Sequence, residues 1–220
     1  MSRHTDSASR SRFSASRPWT ETCGSVVIPL VRPATREDGA AIAGIHVRAF
    51  ADEHAKMAEA GAAHACGQRA NSESITRYWT DEVTGLCITH VEAWSRQGAI
   101  VVAELDGTVV GYGTLGPADW VVSLGEGTYD QMIHHLAVDP STQRRSVGTR
   151  LVSALFGHVD AGKGLYAWSW DGSPAQQFYR ALGASALSRR SKPCGWVGSY
   201  GQTAFGWREL GALQTRSAFA

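Results

Sequence analysis

The sequence predicts a mixed α/β domain whose central, largely antiparallel sheet carries helices on both faces. Two β-rich runs, 99–105 and 108–115, are joined by Asp106-Gly107, which is a strong hairpin signal. A third apolar run, Met132–Val138, is followed by apolar residues at helical spacing from 148 to 159. A hairpin next to a strand-to-helix junction is typical of a mixed fold.

The elements before the hairpin are a strand and a helix. The strand is predicted at Val26–Val31 and is expected to end at Arg32-Pro33-Ala34. Thr35 then has the position of a helix N-cap, with Asp38 three residues later as in a capping box. The helix is predicted over about 36–50. The alanine-rich residues 51–71 predict only a short helix and a loop, and another helix is expected to begin at Ser72.

The elements after the hairpin alternate between strands and helices. Gly116-Pro117 is expected to end the second hairpin strand, because proline cannot donate to a ladder. The remaining predicted elements are a strand at 165–170, a helix that begins after Asp171-Gly172-Ser173-Pro174 and ends at Gly183, and strands at about 186–191 and 202–209.

Composition bounds the class of protein. Residues 1–25 are rich in Ser and Arg and have no apolar run, which predicts a flexible tail before a single domain at 26–220. No segment approaches the roughly 18 apolar residues of a membrane span. The net charge of +1 argues against a nucleic-acid binder. The four cysteines show no CxxC pair and no metal-ligand spacing. We therefore expect a cytoplasmic protein, monomeric or homodimeric, with no metal.

The junction after Val138 has the features of an anion site. Residues 143–148 lead into a helix whose first turn has unpaired N–H groups and the positive end of the dipole. Arg144 and Arg145 add positive charge, and Gly148 lets a ligand approach the backbone. The alternative is an ordinary strand-to-helix loop with solvated arginines.

Residues 136–156, LAVDPSTQRRSVGTRLVSALF, resemble the acetyl-CoA motif of the GCN5-related N-acetyltransferase (GNAT) superfamily. That motif is a strand, then Arg/Gln-x-x-Gly-x-Gly/Ala, then a helix. Gln143, Ser146 and Gly148 take its three fixed positions, with serine in place of the usual glycine. The resemblance runs from about Val31 to about Leu210. It implies that the central strand splays from its neighbour and that acetyl-CoA is the cosubstrate. The binding residues it implies are Leu136, Ala137, Val138, Gln143, Arg144, Arg145, Ser146, Val147, Gly148, Thr149 and Ser173.

The same resemblance implies two catalytic residues. Tyr179 matches the tyrosine of the family's FY pair, here in AQQFYRALGA, and would be the general acid near the cofactor sulfur. His134 matches a histidine of the arylalkylamine N-acetyltransferases and would be the base. Because successive strand residues face opposite sides, at most one of His134 and His135 is expected to point into the acceptor cleft. The alternative is that these side chains only pack.

The function implied is transfer of acetyl from acetyl-CoA directly to a primary amine of a small molecule. A protein or peptide amine is the alternative acceptor, and a module that binds acyl-CoA without chemistry is the alternative function. Trp79, Trp120, Trp168 and Trp170 would either line an aromatic amine pocket or belong to the core.

Overall fold

The structure is a computed structural model that describes residues 27–59, 98–124, 127–160, 162–193 and 199–208. These residues form one seven-stranded sheet in the order β1-β2-β3-β4-β5-β7-β6, in which only β4 and β5 are parallel. The strands are β1 (Leu30–Pro33), β2 (Ala99–Leu105), β3 (Thr108–Leu124), β4 (Gly127–Val138), β5 (Gly164–Trp170), β6 (Ser185–Pro193) and β7 (Ser199–Trp207). The α-helices are α1 (Gly39–Glu59), α2 (Val147–Phe156) and α3 (Ala175–Ala181). The predicted mixed, largely antiparallel architecture is confirmed.

The predicted hairpin joins β2 and β3. Asp106 and Gly107 have φ of 49° and 73°, so both lie in the left-handed region that a tight two-residue turn with the strands' twist requires. The prediction that Gly116-Pro117 ends β3 is wrong, since the strand continues to Leu124. Its pairing with β4 shifts between Pro117 and Val122, and this irregularity accommodates a residue that cannot donate to the ladder.

The first strand and helix also differ from their predicted bounds. Pro33 is the last residue of β1 and pairs with Val101 at the edge of the sheet, where its missing N–H is tolerated. The capping contact is present, because the Thr35 N–H donates to Asp38 Oδ2 over 2.7 Å. After one 3₁₀ turn, α1 runs to Glu59 instead of ending near Phe50. Its extension, ADEHAKMAE, is composed largely of good helix formers.

The two faces of the sheet carry different helices. On β2, Val102 packs with Ile45 of α1, whereas Val101 and Ala103 face α2. Leu151 of α2 is fully buried against this second face, where α3 also packs. Burial of one such leucine contributes about 1.5–3 kcal/mol. The central strand β4 therefore lies between helices that pack on the two faces of the sheet.

The sheet opens between β4 and β5, as expected for a splayed central pair. Their ladder ends at the pair Ile133 and Ala167, although β4 continues to Val138 and β5 to Trp170. Beyond this pair, the described residues 136–138 of β4 form no ladder with β5, so that edge of the strand is open. β4 also bulges here: Thr114 of β3 pairs with His135 and the next residue, Leu115, pairs with Ile133, so His134 is an extra residue.

Several predicted features lie outside the described residues. They are the tail at 1–25, the helix from Ser72, the four cysteines, Trp79 and the side chain of Trp120. Of the helices in the described parts of the chain, none is long and apolar enough to cross a membrane.

Candidate active site

Two cavities meet in the gap between β4 and β5. The motif cavity, of about 390 Å³, is lined by the loop after β4 and the first turn of α2. The tryptophan cavity, of about 540 Å³, is lined by Trp168 and Trp170 and by the bulged part of β4. Both cavities share one set of lining residues, which we call the junction: Phe50, Glu53, Leu136, Ala175 and Tyr179.

The motif cavity brings together nearly all the predicted cofactor-binding residues. It is lined by Leu136, Ala137, Val138, Gln143, Arg144, Ser146, Val147, Gly148, Thr149 and Ser173. Arg145 is the exception, since its side chain is exposed and does not line the cavity. Nine of these ten residues come from the end of β4, the loop after it and the first turn of α2. The tenth, Ser173, comes from the loop after β5.

The loop of the motif cavity has an uncommon backbone conformation. Arg144 and Ser146 have φ of 64° and 61°, in the left-handed region. Turns of this kind form concavities of backbone N–H groups that bind anions, here directly before α2. A side chain in this region costs about 1–2 kcal/mol. The serine that replaces the family's glycine at 146 therefore occupies a position where glycine would be less strained.

Gly148 allows the first turn of α2 to pack closely against α3. A methyl group at this position would lie 3.3 Å from the ring of Phe178 and 3.8 Å from Val138. The same turn lines the motif cavity. Bulk at position 148 would therefore either press on Phe178 or enter the cavity.

Contacts around Asp139 join α1 to the end of β4. Arg48 of α1 forms an ion pair with Asp139 over 2.7 Å, and Ser141 donates to the same carboxylate. The Ser141 hydroxyl, and then Arg48, hold the pKa of Asp139 below its usual range. Gln143 Nε2 donates to the Val138 carbonyl over 3.4 Å. These contacts hold in place the residues that lead from β4 into the loop at 143–148.

The junction contains a carboxyl group that the sequence analysis missed. Glu53 of α1 accepts a hydrogen bond from the Ser173 hydroxyl, and Ser173 Oγ in turn accepts the Ala175 N–H over 2.9 Å. Burial raises the pKa of Glu53 above the usual 4.5, although the bond from Ser173 opposes this. The available signal was helical spacing, because Glu53 lies four residues from both Ala49 and Met57 on the buried stripe of α1.

Tyr179 lies at the same junction, on α3. Its side chain is buried, and burial, with the charge of Glu53, raises the pKa of the phenol. The hydroxyl therefore keeps its proton at neutral pH. None of the hydrogen bonds between described residues uses this hydroxyl, so its proton is available to a ligand in either cavity.

Both histidines of β4 line the tryptophan cavity, against the expectation that at most one would. The bulge at His134 breaks the strict alternation on which that expectation depended. His134 Nε2 donates to the Pro117 carbonyl over 2.8 Å. His135 packs against His46 with ring centroids 5.2 Å apart. Burial lowers the pKa of His135 to about 3, which keeps it neutral.

Comparisons with known proteins agree with this geometry. Residues 68–184, slightly more than half of the chain, match the model of the acetyltransferase (GNAT) family. No curated protein matches the chain.

Similar solved structures have the same fold. One is a GCN5-related N-acetyltransferase from Rhodopseudomonas palustris, with 22% identity over 82% of this chain and 96% of that one and a TM-score of 0.56. A second is yncA from Salmonella typhimurium with its cofactor acetyl-CoA, with 19% identity, 82% and 94% coverage and a TM-score of 0.52. A third is the ribosomal-protein-S18-alanine N-acetyltransferase from Escherichia coli, with 13% identity, 81% and 92% coverage and a TM-score of 0.51.

The family match covers the end of β4, the loop and all of α2 and α3, so it includes the motif cavity and Tyr179. The motif resemblance, the splayed sheet and the family model thus agree on one assignment. The chain belongs to the acetyltransferase (GNAT) family and is an acetyl-CoA-dependent N-acetyltransferase.

Proposed function

We propose that this enzyme transfers the acetyl group of acetyl-CoA directly to a primary amine of a small molecule. The observation that carries the proposal is that the two cavities share Glu53 and Tyr179 in their walls. Two substrates can be held at once in such a site, as direct transfer without an acetyl-enzyme requires.

The motif cavity is the proposed site of acetyl-CoA. The N–H groups of the loop at 143–148 and of the first turn of α2 would bind the pyrophosphate. The unpaired edge of Leu136, Ala137 and Val138 would bind the pantetheine arm and the acetyl oxygen. Fixed backbone donors suit this task, because they need no rearrangement as charge develops on that oxygen. The yncA structure with acetyl-CoA supports this choice of ligand.

The tryptophan cavity is the proposed site of the amine. The amine would enter as an ammonium ion held at the junction by the Glu53 carboxylate, and His134 would take its proton. The amine nitrogen then attacks the thioester carbon, and the C–S bond breaks. Tyr179 donates its proton to the departing thiolate, which leaves as the thiol of coenzyme A. As the amide forms, the nitrogen loses its second proton, which returns to the Tyr179 phenolate and restores the phenol. His134 then releases the first proton to solvent, so all protons are accounted for.

The size of the tryptophan cavity favours a small acceptor. A volume of about 540 Å³ lies in the range that binds small molecules. Its walls combine apolar rings with a few polar groups, which is typical of a site that encloses a ligand. A peptide amine would insert only its terminal residues.

A thiol-release assay tests this proposal. The purified protein is mixed with acetyl-CoA and a panel of small primary amines, and free coenzyme A is measured against a reaction without amine. A peptide with N-terminal alanine and a lysine-containing peptide are included. We expect release with at least one small amine and an acetylated product by mass spectrometry. Release with peptides alone would make the acceptor a protein. Tight binding of acetyl-CoA with no release across the panel would favour a binding module.

A further inference from the structure

We propose that the tryptophan cavity contains a subsite for an anionic group, formed by Arg190 and Lys192 of β6, and that the acceptor is therefore an amino-carboxylate. This inference rests on the proposed function, since it names the class of amine that the same site takes. Both cations line the cavity together with Trp168, His134 and His135.

The guanidinium of Arg190 is held in place on two sides. Its central carbon lies 3.9 Å from the centre of the Trp168 ring, in a cation–π contact. Its Nε donates to Gln202 Oε1 over 2.9 Å, and Gln202 pairs with Arg190 in the ladder of β6 and β7. A planar guanidinium fixed in this way suits a carboxylate, because its donors match the two oxygens.

Lys192 lies two residues further along β6, so it projects to the same side of the sheet as Arg190. Among the described residues, no ion pair uses its ammonium group. Its charge reaches the cavity wall: burial, then His46, His134 and Lys192, lower the pKa of His135. Two cations thus act on one wall of the cavity.

A carboxyl group lies at the junction. Glu53 accepts from Ser173 there, next to Tyr179, at the point where the reacting nitrogen must be. A ligand with an ammonium group at Glu53 and a carboxylate at Arg190 would bind two side chains that line the same cavity. The apolar rings between them, Trp168 and Trp170, would contact its carbon chain or ring.

The positions of these charged side chains in the cavity disfavour other classes of amine. A polyamine or a lysine-rich peptide would place further cations against Arg190 and Lys192, and like charges in one partly buried site repel. A simple alkylamine has no anionic group to bind Arg190 and Lys192, so it would gain no affinity from these two cations. The inference therefore separates amino-carboxylates from two common classes of amine.

The test uses matched amine pairs that differ only in a carboxylate. The pairs are L-phenylalanine and phenethylamine, 4-aminobutyrate and propylamine, and 6-aminohexanoate and pentylamine. The measurement is kcat/KM from thiol release at saturating acetyl-CoA. We expect the amino-carboxylate of at least one pair to be preferred about tenfold or more, as a charge-assisted hydrogen bond supplies.

Variants then locate the subsite. Arg190→Gln and Lys192→Gln should each reduce the preference, and the double variant should bring it close to one. Arg190→Lys keeps the charge and should retain more of the preference than Arg190→Gln. The matched control is Arg189→Gln, because Arg189 neighbours Arg190 but pairs with Asp171 and does not line the cavity.

The outcomes separate this inference from the proposed function. Turnover of amines without a preference for the carboxylate in any pair would overturn the subsite and leave the acetyltransferase proposal standing. A preference that survives in the double variant would place the anion site elsewhere. An absence of turnover with every amine would overturn both. A preference lost in the double variant and kept in Arg189→Gln supports the subsite.

Discussion

The motif cavity and the tryptophan cavity share a junction but are built in different ways. About half of the wall of the motif cavity comes from one stretch of chain, 136–149, and the rest comes from α1 and from residues 173–179. The wall of the tryptophan cavity comes from α1, α3 and five strands, and its binding surface is side chains. In our proposal, backbone groups of 136–149 bind acetyl-CoA, the cosubstrate. Side chains from distant elements can change independently, so they can set the acceptor.

Four predictions test these separate roles of the two cavities, beginning with the largest expected effect. Tyr179→Phe should lower kcat about 100- to 10,000-fold, which is the range for removal of a general acid. Phenylalanine keeps the packing of the buried ring, so the affinity for acetyl-CoA and the KM of the amine should stay nearly unchanged. Turnover is measured by thiol release and affinity by calorimetry. Unchanged turnover would show that solvent protonates the thiolate.

Gly148→Glu should damage the motif cavity alone. The new carboxylate would enter the site proposed for the pyrophosphate, and the side chain would also press on Phe178. We expect the affinity for acetyl-CoA to fall about 100-fold, from repulsion and overpacking together. Gly148→Gln is the matched control, because it has similar bulk without charge and should lose clearly less. Equal affinity in wild type and Gly148→Glu would place the cofactor elsewhere.

Gly148 and Tyr179 also show which site residues can be predicted from the sequence alone. Gly148 and the loop before it could be predicted, because a strand, a turn and a helix follow one another within a short stretch and their order determines the geometry. The same holds for the β2–β3 hairpin, which Asp106-Gly107 specifies locally. Tyr179 was identified by its place in a family motif.

The residues that sequence analysis missed are those whose role depends on tertiary contacts. Glu53 meets Ser173 although 120 residues separate them in sequence. The bulge that turns both His134 and His135 towards the cavity depends on how β3 pairs with β4. Arg190 lines the tryptophan cavity because β6 lies beside β7, which brings its side chain over Trp168. No local pattern encodes such neighbours.

Glu53→Gln tests whether Glu53, at the junction, binds the amine. Glutamine can still accept the bond from Ser173, so the fold should persist, but it cannot hold an ammonium ion by charge. We expect the KM of the amine to rise about tenfold while kcat and the KM of acetyl-CoA change little. A fall in kcat with an unchanged KM would instead make Glu53 the base in place of His134.

The pH dependence of the same variant provides a second measurement. Burial raises the pKa of Glu53, so the carboxylate is present above that raised value and is lost as the pH falls through it. In the wild type, the KM of the amine should therefore begin to rise on acidification at a pH above the usual 4.5 of a glutamate. Glu53→Gln should lack this rise.

The smallest effect is expected at Ser146, where the motif cavity departs from the family's pattern. Serine holds a φ of 61° at the start of α2, and glycine adopts this conformation without the clash of a Cβ. Glycine also gives the unfolded chain more freedom, which offsets part of that gain. We therefore expect Ser146→Gly to raise the free energy of unfolding by about 0.5–1 kcal/mol and the Tm by about 1–4 °C.

A matched serine-to-glycine change shows whether this gain comes from the left-handed backbone. Ser153 lies within α2, where the backbone is helical, so Ser153→Gly should destabilise the protein by about 0.5 kcal/mol. Opposite signs for the two substitutions, measured by thermal and denaturant unfolding, would attribute the effect to the conformation at residue 146. Equal destabilisation would mean that the serine side chain makes a contact that outweighs its strain. The affinity for acetyl-CoA should be at least retained in Ser146→Gly, since glycine leaves the loop N–H groups in place and more accessible.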